Sequence, residues 1–272
     1  MNMKDVTAIT IPDGTVKKIE DANGKVIWGS PTDFPYRRLE YLNMYGRYWN
    51  ISVRPQKGYY FLNFTLNAST PLNPNDDYGV FFGCAGSSSR RLFFGINSNG
   101  IFQRLKNNAN TLVASSSSLS DTIKYQIRLR TYAANNTAGT WWFGLQNLND
   151  NSRIYGQYYN NTTYAMNLNE LPYLHINAHA YNSSGTSAVP QTVVHKGAID
   201  FKFYRFIKRE DGDDSAIVWD VYPVQRKSDG VIGFYNISNN YFFPVKDAAT
   251  DSNITTLTEP VADEYWDLTA PS

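Results

Sequence analysis

Apolar and polar residues alternate with a period of two along much of this chain, most clearly near its C-terminal end. Ile217-Val218-Trp219-Asp220-Val221-Tyr222 is a β-branched and aromatic run interrupted by polar Asp220 and ended by Pro223. Ser228-Asp229-Gly230 supplies a turn. A second run follows, in which Val231, Gly233 and Tyr235 alternate with Ile232, Phe234 and Asn236. Asp-Gly between two such runs is a strong hairpin signal. Asn239-Asn240 turns the chain again into Tyr241-Phe242-Phe243, so a three-strand meander is expected here. Its apolar residues need a second sheet to cover them.

The same period predicts strands upstream, over residues 59–66, 78–83, 91–96, 100–105, 111–114, 123–132, 140–145, 172–180 and 198–207. They recur about every ten residues between Asn-, Ser- and Gly-rich turns, which is the rhythm of a sandwich or barrel. Pro71 and Pro74 end the first of them. No helical pattern competes. The expected fold is all-β, a two-sheet antiparallel jelly-roll sandwich with a short N-terminal β arm. The arm reads as Val6–Ile11, Val16–Ile19 and Val26–Trp28, turning at Asp13-Gly14 and Asn23-Gly24. Three strands this short rarely stand alone in water. Val6, Ile9, Ile11, Val16, Ile19, Ile27 and Trp28 are therefore expected to dock on a partner protein or on sister copies. The domain boundaries expected are 1–30 for the arm, 31–260 for the sandwich and 261–272 for a tail, with residues 29–33 as the linker.

Composition narrows the function classes. Of 272 residues, 15% are aromatic and only 18% charged, and the formal net charge is +1 without a basic block, so nucleic-acid binding is not expected. No apolar run approaches a membrane span, and none forms a signal-peptide core. Cys84 is the single cysteine, which excludes an internal disulfide.

Candidate chemistry is sparse. Glycoside hydrolysis needs two carboxylates about 5–10 Å apart. The central strands hold almost no acid; Glu170, close before Pro172, is one of the few. His175 and His179 alternate within a strand pattern. Their rings would share a face about 13 Å apart, too far for one metal, and they read as solvent- or groove-facing. Glu210-Asp211-Gly212-Asp213-Asp214 reads as a solvated turn rather than a calcium loop. No catalysis, metal or cofactor is expected. The informative surface candidates are aromatic: Trp141 and Trp142, of which one must face outward, and Tyr155, Tyr158, Tyr159 and Tyr164 among amides and hydroxyls. Such rings stack on sugars, but they serve equally in protein interfaces or in strand packing.

The stretch from Asp220 to Tyr235 also carries a family resemblance. Asp220, Pro223, Arg226, Lys227, Asp229, Gly230, Gly233 and Tyr235 resemble the closing signature of concanavalin A-like (laminin-G-like) sandwich domains of bacteriophage structural proteins and bacterial surface proteins. Leu39-Glu40-Tyr41-Leu42 and Gly46-Arg47-Tyr48-Trp49 echo the opening of such domains. The run from Lys17 to Trp28 resembles an N-terminal segment of phage structural proteins. This resemblance implies a non-enzymatic virion component of fibre, tail or capsid-decorating type, made in a host cytoplasm. It would join other virion proteins through residues 1–29, form a homo-oligomer and meet a host-surface glycan. The alternatives are a carbohydrate-binding module of a bacterial surface protein and a glycosidase-like enzyme.

Overall fold

A computed structural model describes residues 18–20, 26–29, 35–51, 55–67, 79–87, 90–97, 100–107, 110–115, 119–134, 137–160, 166–168, 171, 173–181, 192–210 and 216–262, with the side chains of a subset of these. In chain order the strands are β1 (Lys18–Glu20), β2 (Val26–Gly29), β3 (Tyr36–Arg38), β4 (Leu42–Asn43), β5 (Arg47–Asn50), β6 (Gly58–Leu66), β7 (Val80–Ser87) and β8 (Arg90–Asn97). They continue as β9 (Gly100–Asn107), β10 (Asn110–Ser115), β11 (Tyr125–Ala134), β12 (Thr137–Asn147), β13 (Arg153–Asn160), β14 (Met166–Asn167), β15 (His175–Ile176) and β16 (His179–Tyr181). The last six are β17 (Thr192–Val194), β18 (Phe201–Arg209), β19 (Ile217–Arg226), β20 (Ile232–Asn236), β21 (Tyr241–Pro244) and β22 (Lys246–Asp247).

The architecture is the expected all-β sandwich of two antiparallel sheets. The larger sheet runs β13-β12-β11-β6-β18-β19-β20-β21, with β14, β4 and β3 paired beside β12, β18 and β19. The smaller runs β10-β9-β8-β7-β15-β5-β22, with β16 paired beside β7 and β17 beside β16. One short pairing, β16 with β7, is parallel. β1 and β2 form a separate two-stranded ladder in which Ile19 stands opposite Trp28. Val6, Ile9, Ile11 and Val16 lie outside the described residues, as do the side chains of Ile19, Ile27 and Trp28.

Alternation decides which side chains meet between the sheets. From the larger sheet, Tyr60, Leu62, Phe64 and Leu66 of β6 point inward with Ile127, Leu129, Trp141, Phe143 and Phe206. The smaller sheet answers with Trp49, Phe81, Phe82, Leu92 and Phe94. Ring pairs then lock the layers: Trp49 stacks on Phe234 at 4.4 Å, Phe64 meets Phe81 at 4.6 Å, and Phe94 meets Phe143 at 5.0 Å. Burying each of these side chains contributes roughly 1.5–3 kcal/mol from water exclusion, and such ring geometry adds to it.

The segment 172–180 is not the single strand expected from its pattern. Asn177 takes a left-handed backbone (φ 54°) between β15 and β16, which an asparagine tolerates better than most residues. Its side chain is a buried hub: Nδ2 donates to the carbonyls of Met44, Arg47 and Ile199, and Oδ1 accepts from Ile199 N–H. The break also turns the histidines. His175 and His179 are buried, at 0% and 5% exposure, not solvent- or groove-facing. Burial pushes the His175 imidazole down to about 4.

The residues of the closing signature hold the last hairpins. Asp220 takes a bidentate ion pair from Arg205, Nε at 2.7 Å and Nη2 at 2.8 Å. Arg226 grips Asp229 in the turn, whose carboxylate also accepts Val231 N–H at 3.1 Å. Gly230 supplies the positive φ of 74° there. Beyond the meander the chain crosses the sandwich again. β22 pairs with β5, Ile254 O accepts from Ile232 N–H, and Leu39 bridges to Val261. Within this strap the Glu259 carboxylate is buried and salt-bridged to Arg47.

Candidate functional site

The outward face of the larger sheet is the surface most unlike ordinary solvated strand. Register places its residues in rows across the strands. One row carries Tyr158, Trp142, Arg130, Tyr59 and Arg209, each pair opposite in its ladder. The next carries Gly156, Gly144, Arg128, Phe61 and Ile207. A third carries Gln146, Gln126, Asn63 and Arg205. Even-numbered positions of β11 and β12 point outward because their odd-numbered neighbours fill the core.

Trp142 lies down along its own strand. A Cβ built on Gly144 would collide with its Cη2 and stand 2.9 Å from Cζ2 and Cζ3. The indole therefore covers Gly144 and needs a residue without a side chain there. Its inner neighbour Tyr59 meets it edge-on at 5.8 Å, and Tyr59, Phe61, Ile207 and Ile217 form an apolar floor around it. Tyr158, next to Trp142 on β13, is 52% exposed. A flat ring on a firm floor, with an exposed ring beside it, is a stacking platform.

Polar groups border the platform. Gln126 donates to Asn63 Oδ1 at 2.8 Å and accepts from Arg128 Nε at 2.6 Å. Gln146 Nε2 donates to the Asn151 carbonyl at 3.0 Å, while its Oε1 has no hydrogen-bond partner among the described residues. Cations alternate with rings: Arg128 over Phe61, Arg130 over Tyr59, Lys124 over Tyr204 at 3.8 Å, and Arg38 and Arg205 over Tyr222. Burial, and then the nearby charge of Arg38, hold Lys124 below the usual lysine value. Burial and the Asp220 carboxylate push the Tyr222 phenol up to about 12.

The sequence candidates separate on this geometry. Trp142 and Tyr158 come together on the outer face. Trp141 is corrected to a core residue at 0% exposure, because it shares its face with Phe143 and Leu145. Tyr155 is also corrected: it is half-buried on the core side, 5.4 Å from Phe143. The side chain of Tyr159 and all of Tyr164 lie outside the described residues, as do Glu170, Asp211, Asp213 and Asp214. Among the described residues no three His, Cys, Asp or Glu side chains form a group that could hold a metal. Sequence reasoning missed Arg128, Arg130, Gly144 and Gln126. The signal was present in Lys124, Gln126, Arg128 and Arg130, the even positions of one strand.

No family model and no curated protein matches the chain. Solved structures do match. One is a Scytalido-glutamic peptidase with a peptide-based transition-state analogue: 9% identity, TM-score 0.34, covering 66% of this chain and 83% of that one. Another is scytalido-glutamic peptidase with a transition-state analogue inhibitor: 10% identity, TM-score 0.33, covering 67% and 88%. These are enzymes, and on this finding the expectation of a non-enzymatic virion component is corrected and not carried further. A likeness of this extent transfers no catalytic residue to this chain.

Proposed function

We propose that this chain is a carbohydrate-binding β-sandwich, a module of a bacterial surface protein, that holds a saccharide on the outer face of its larger sheet. The single observation that carries this reading is the Trp142 indole laid over Gly144 with exposed Tyr158 beside it. Sugar rings present flat C–H faces to such rings. Their hydroxyls need donors and acceptors close by, and the amide side chains of Gln126, Asn63 and Gln146 stand in a neighbouring row of the same face. A glycan array probed with the full chain tests it. Binding should appear and should vanish in Trp142→Ala and Tyr158→Ala variants that remain folded. Glycan binding that persists in both variants would move the site off this face.

A further inference from the structure

Resting on the reading above, we infer that the saccharide is an acidic polymer, its carboxylates or sulfates bound by Arg128, Arg130 and Arg153 around the Trp142 platform. Charge complementarity argues for this occupant. A sheet face that binds neutral sugar needs hydroxyl and amide groups; this one also holds a concentration of cations within a chain of net charge +1. Arg38, Lys124, Arg128 and Arg130 each lie over a ring of the face. The carboxylate described among them, Asp220, is occupied by both forks of Arg205.

The arginines also have the right geometry. Arg128 and Arg130 point outward from one strand, about 7 Å apart by the rise of two residues. Arg128 uses Nε on Gln126 and stacks on Phe61, so its plane is fixed, and its Nη groups have no protein partner among the described residues. A planar guanidinium held this way matches a carboxylate or sulfate through two parallel hydrogen bonds. Arg153 is exposed and folds back over the second glycine of the row, its Nε 3.3 Å from where a Gly156 Cβ would stand. The cation therefore lies beside the platform, across from Gly144 in the Gly156–Gly144 pair.

Titration calorimetry on the full chain tests the inference with four probes: polygalacturonate, the same polymer with its carboxyls reduced to alcohols, dextran sulfate, and a single-stranded oligonucleotide. Binding is expected for polygalacturonate or dextran sulfate, and the stronger of the two names the anionic group. Arg128→Gln and the exposed Arg153→Gln should each weaken it roughly tenfold, as losing a charge-assisted hydrogen bond does. Affinity should also fall as salt is raised. Arg153→Gln, on a surface strand, remains informative if Arg128→Gln melts early. Equal binding of the carboxyl-reduced polymer, or Trp142-dependent binding of neutral glycans alone, overturns the acidic inference and leaves the glycan reading standing. Tighter binding of the oligonucleotide than of both acidic polymers, or no binding of any glycan, overturns the two together.

Discussion

Trp142 and Gly144 form a pair in which the indole occupies the space that any side chain at residue 144 would need. Replacing Gly144 with Ala should lift the ring off the sheet while leaving the inward residues Phe143 and Leu145 in place. Saccharide affinity should fall roughly tenfold, the scale of one aromatic contact, with little change in melting temperature. Tryptophan fluorescence of the variant should report a more water-exposed indole. An unchanged affinity would show that the flat ring is not what the ligand meets.

The neighbouring tryptophans should part company in mutagenesis. Trp141 is fully buried, so Trp141→Ala is expected to destabilise the fold by about 3–5 kcal/mol. Trp142→Ala should cost about 1 kcal/mol, an ordinary surface-to-intermediate value, yet remove saccharide binding. Denaturant melts and binding isotherms on both variants check the contrast. A binding defect in both that simply tracks lost stability would contradict it.

Glu259 is buried against Arg47 in the strap that follows the meander, and it also accepts from Asn43 N–H at 3.3 Å. Glu259→Ala strands the Arg47 charge and should cost about 3–5 kcal/mol. Glu259→Gln, which keeps the shape and an acceptor oxygen, should recover part of this. Equal melting of all three proteins would mean that the strap is held by its backbone bonds alone.

Stability should also respond to pH through His175. Its Nδ1 faces the Tyr173 carbonyl at 3.0 Å, an oxygen that can only accept, so Nδ1 carries the proton and the neutral ring is the buried form. The folded value is about 4 against 6.5 when unfolded. Between these values the unfolded chain binds more protons. Stability is therefore full above pH 6.5 and declines as pH falls towards 4, by about 3 kcal/mol in all. Asp229, Asp247 and Asp251 are held below the ordinary carboxylate range of 3.8 by hydrogen bonds, so their contribution is lost at lower pH still. A His175→Gln variant should flatten the upper window. A slope between pH 6.5 and 4 unchanged by that substitution would assign it to other groups.

Most strands were legible because turn chemistry marked their ends: Asp229-Gly230 closes the hairpin where the sequence places it, with Gly230 at positive φ. β13 was harder to see. A bulge between Leu145 and Gln146 shifts its register, and Gly156 contributes no side chain to the alternation. The Trp141/Trp142 choice was legible in retrospect, since Phe143 and Leu145 fix the inward parity and Gly144 the outward one. The histidine faces were not, because one left-handed residue, Asn177, undoes the count of two. Function was the least legible part. Asp220, Asp229, Gly230 and Tyr235, the residues that suggested a family, are spent on hairpin bonds that hold β18 to β20 and close its turns, including Tyr235 Oη to Asn240 at 2.8 Å. Such residues report how a chain folds rather than what it meets.

The pairing order of the larger sheet sets a timetable for the nascent chain. β6 lies between β11 and β18, so its two partners emerge from the ribosome about 60 and 140 residues after it. Arg47 waits still longer for Glu259, 212 residues downstream. A strand as apolar as Tyr59-Tyr60-Phe61-Leu62 thus waits for its β18 partner while about 140 more residues are made, which invites chaperone binding and slow closure. Ribosome-bound chains stopped before β18 should remain protease-sensitive throughout, and protection should arrive in one step once residues 201–262 have cleared the exit tunnel.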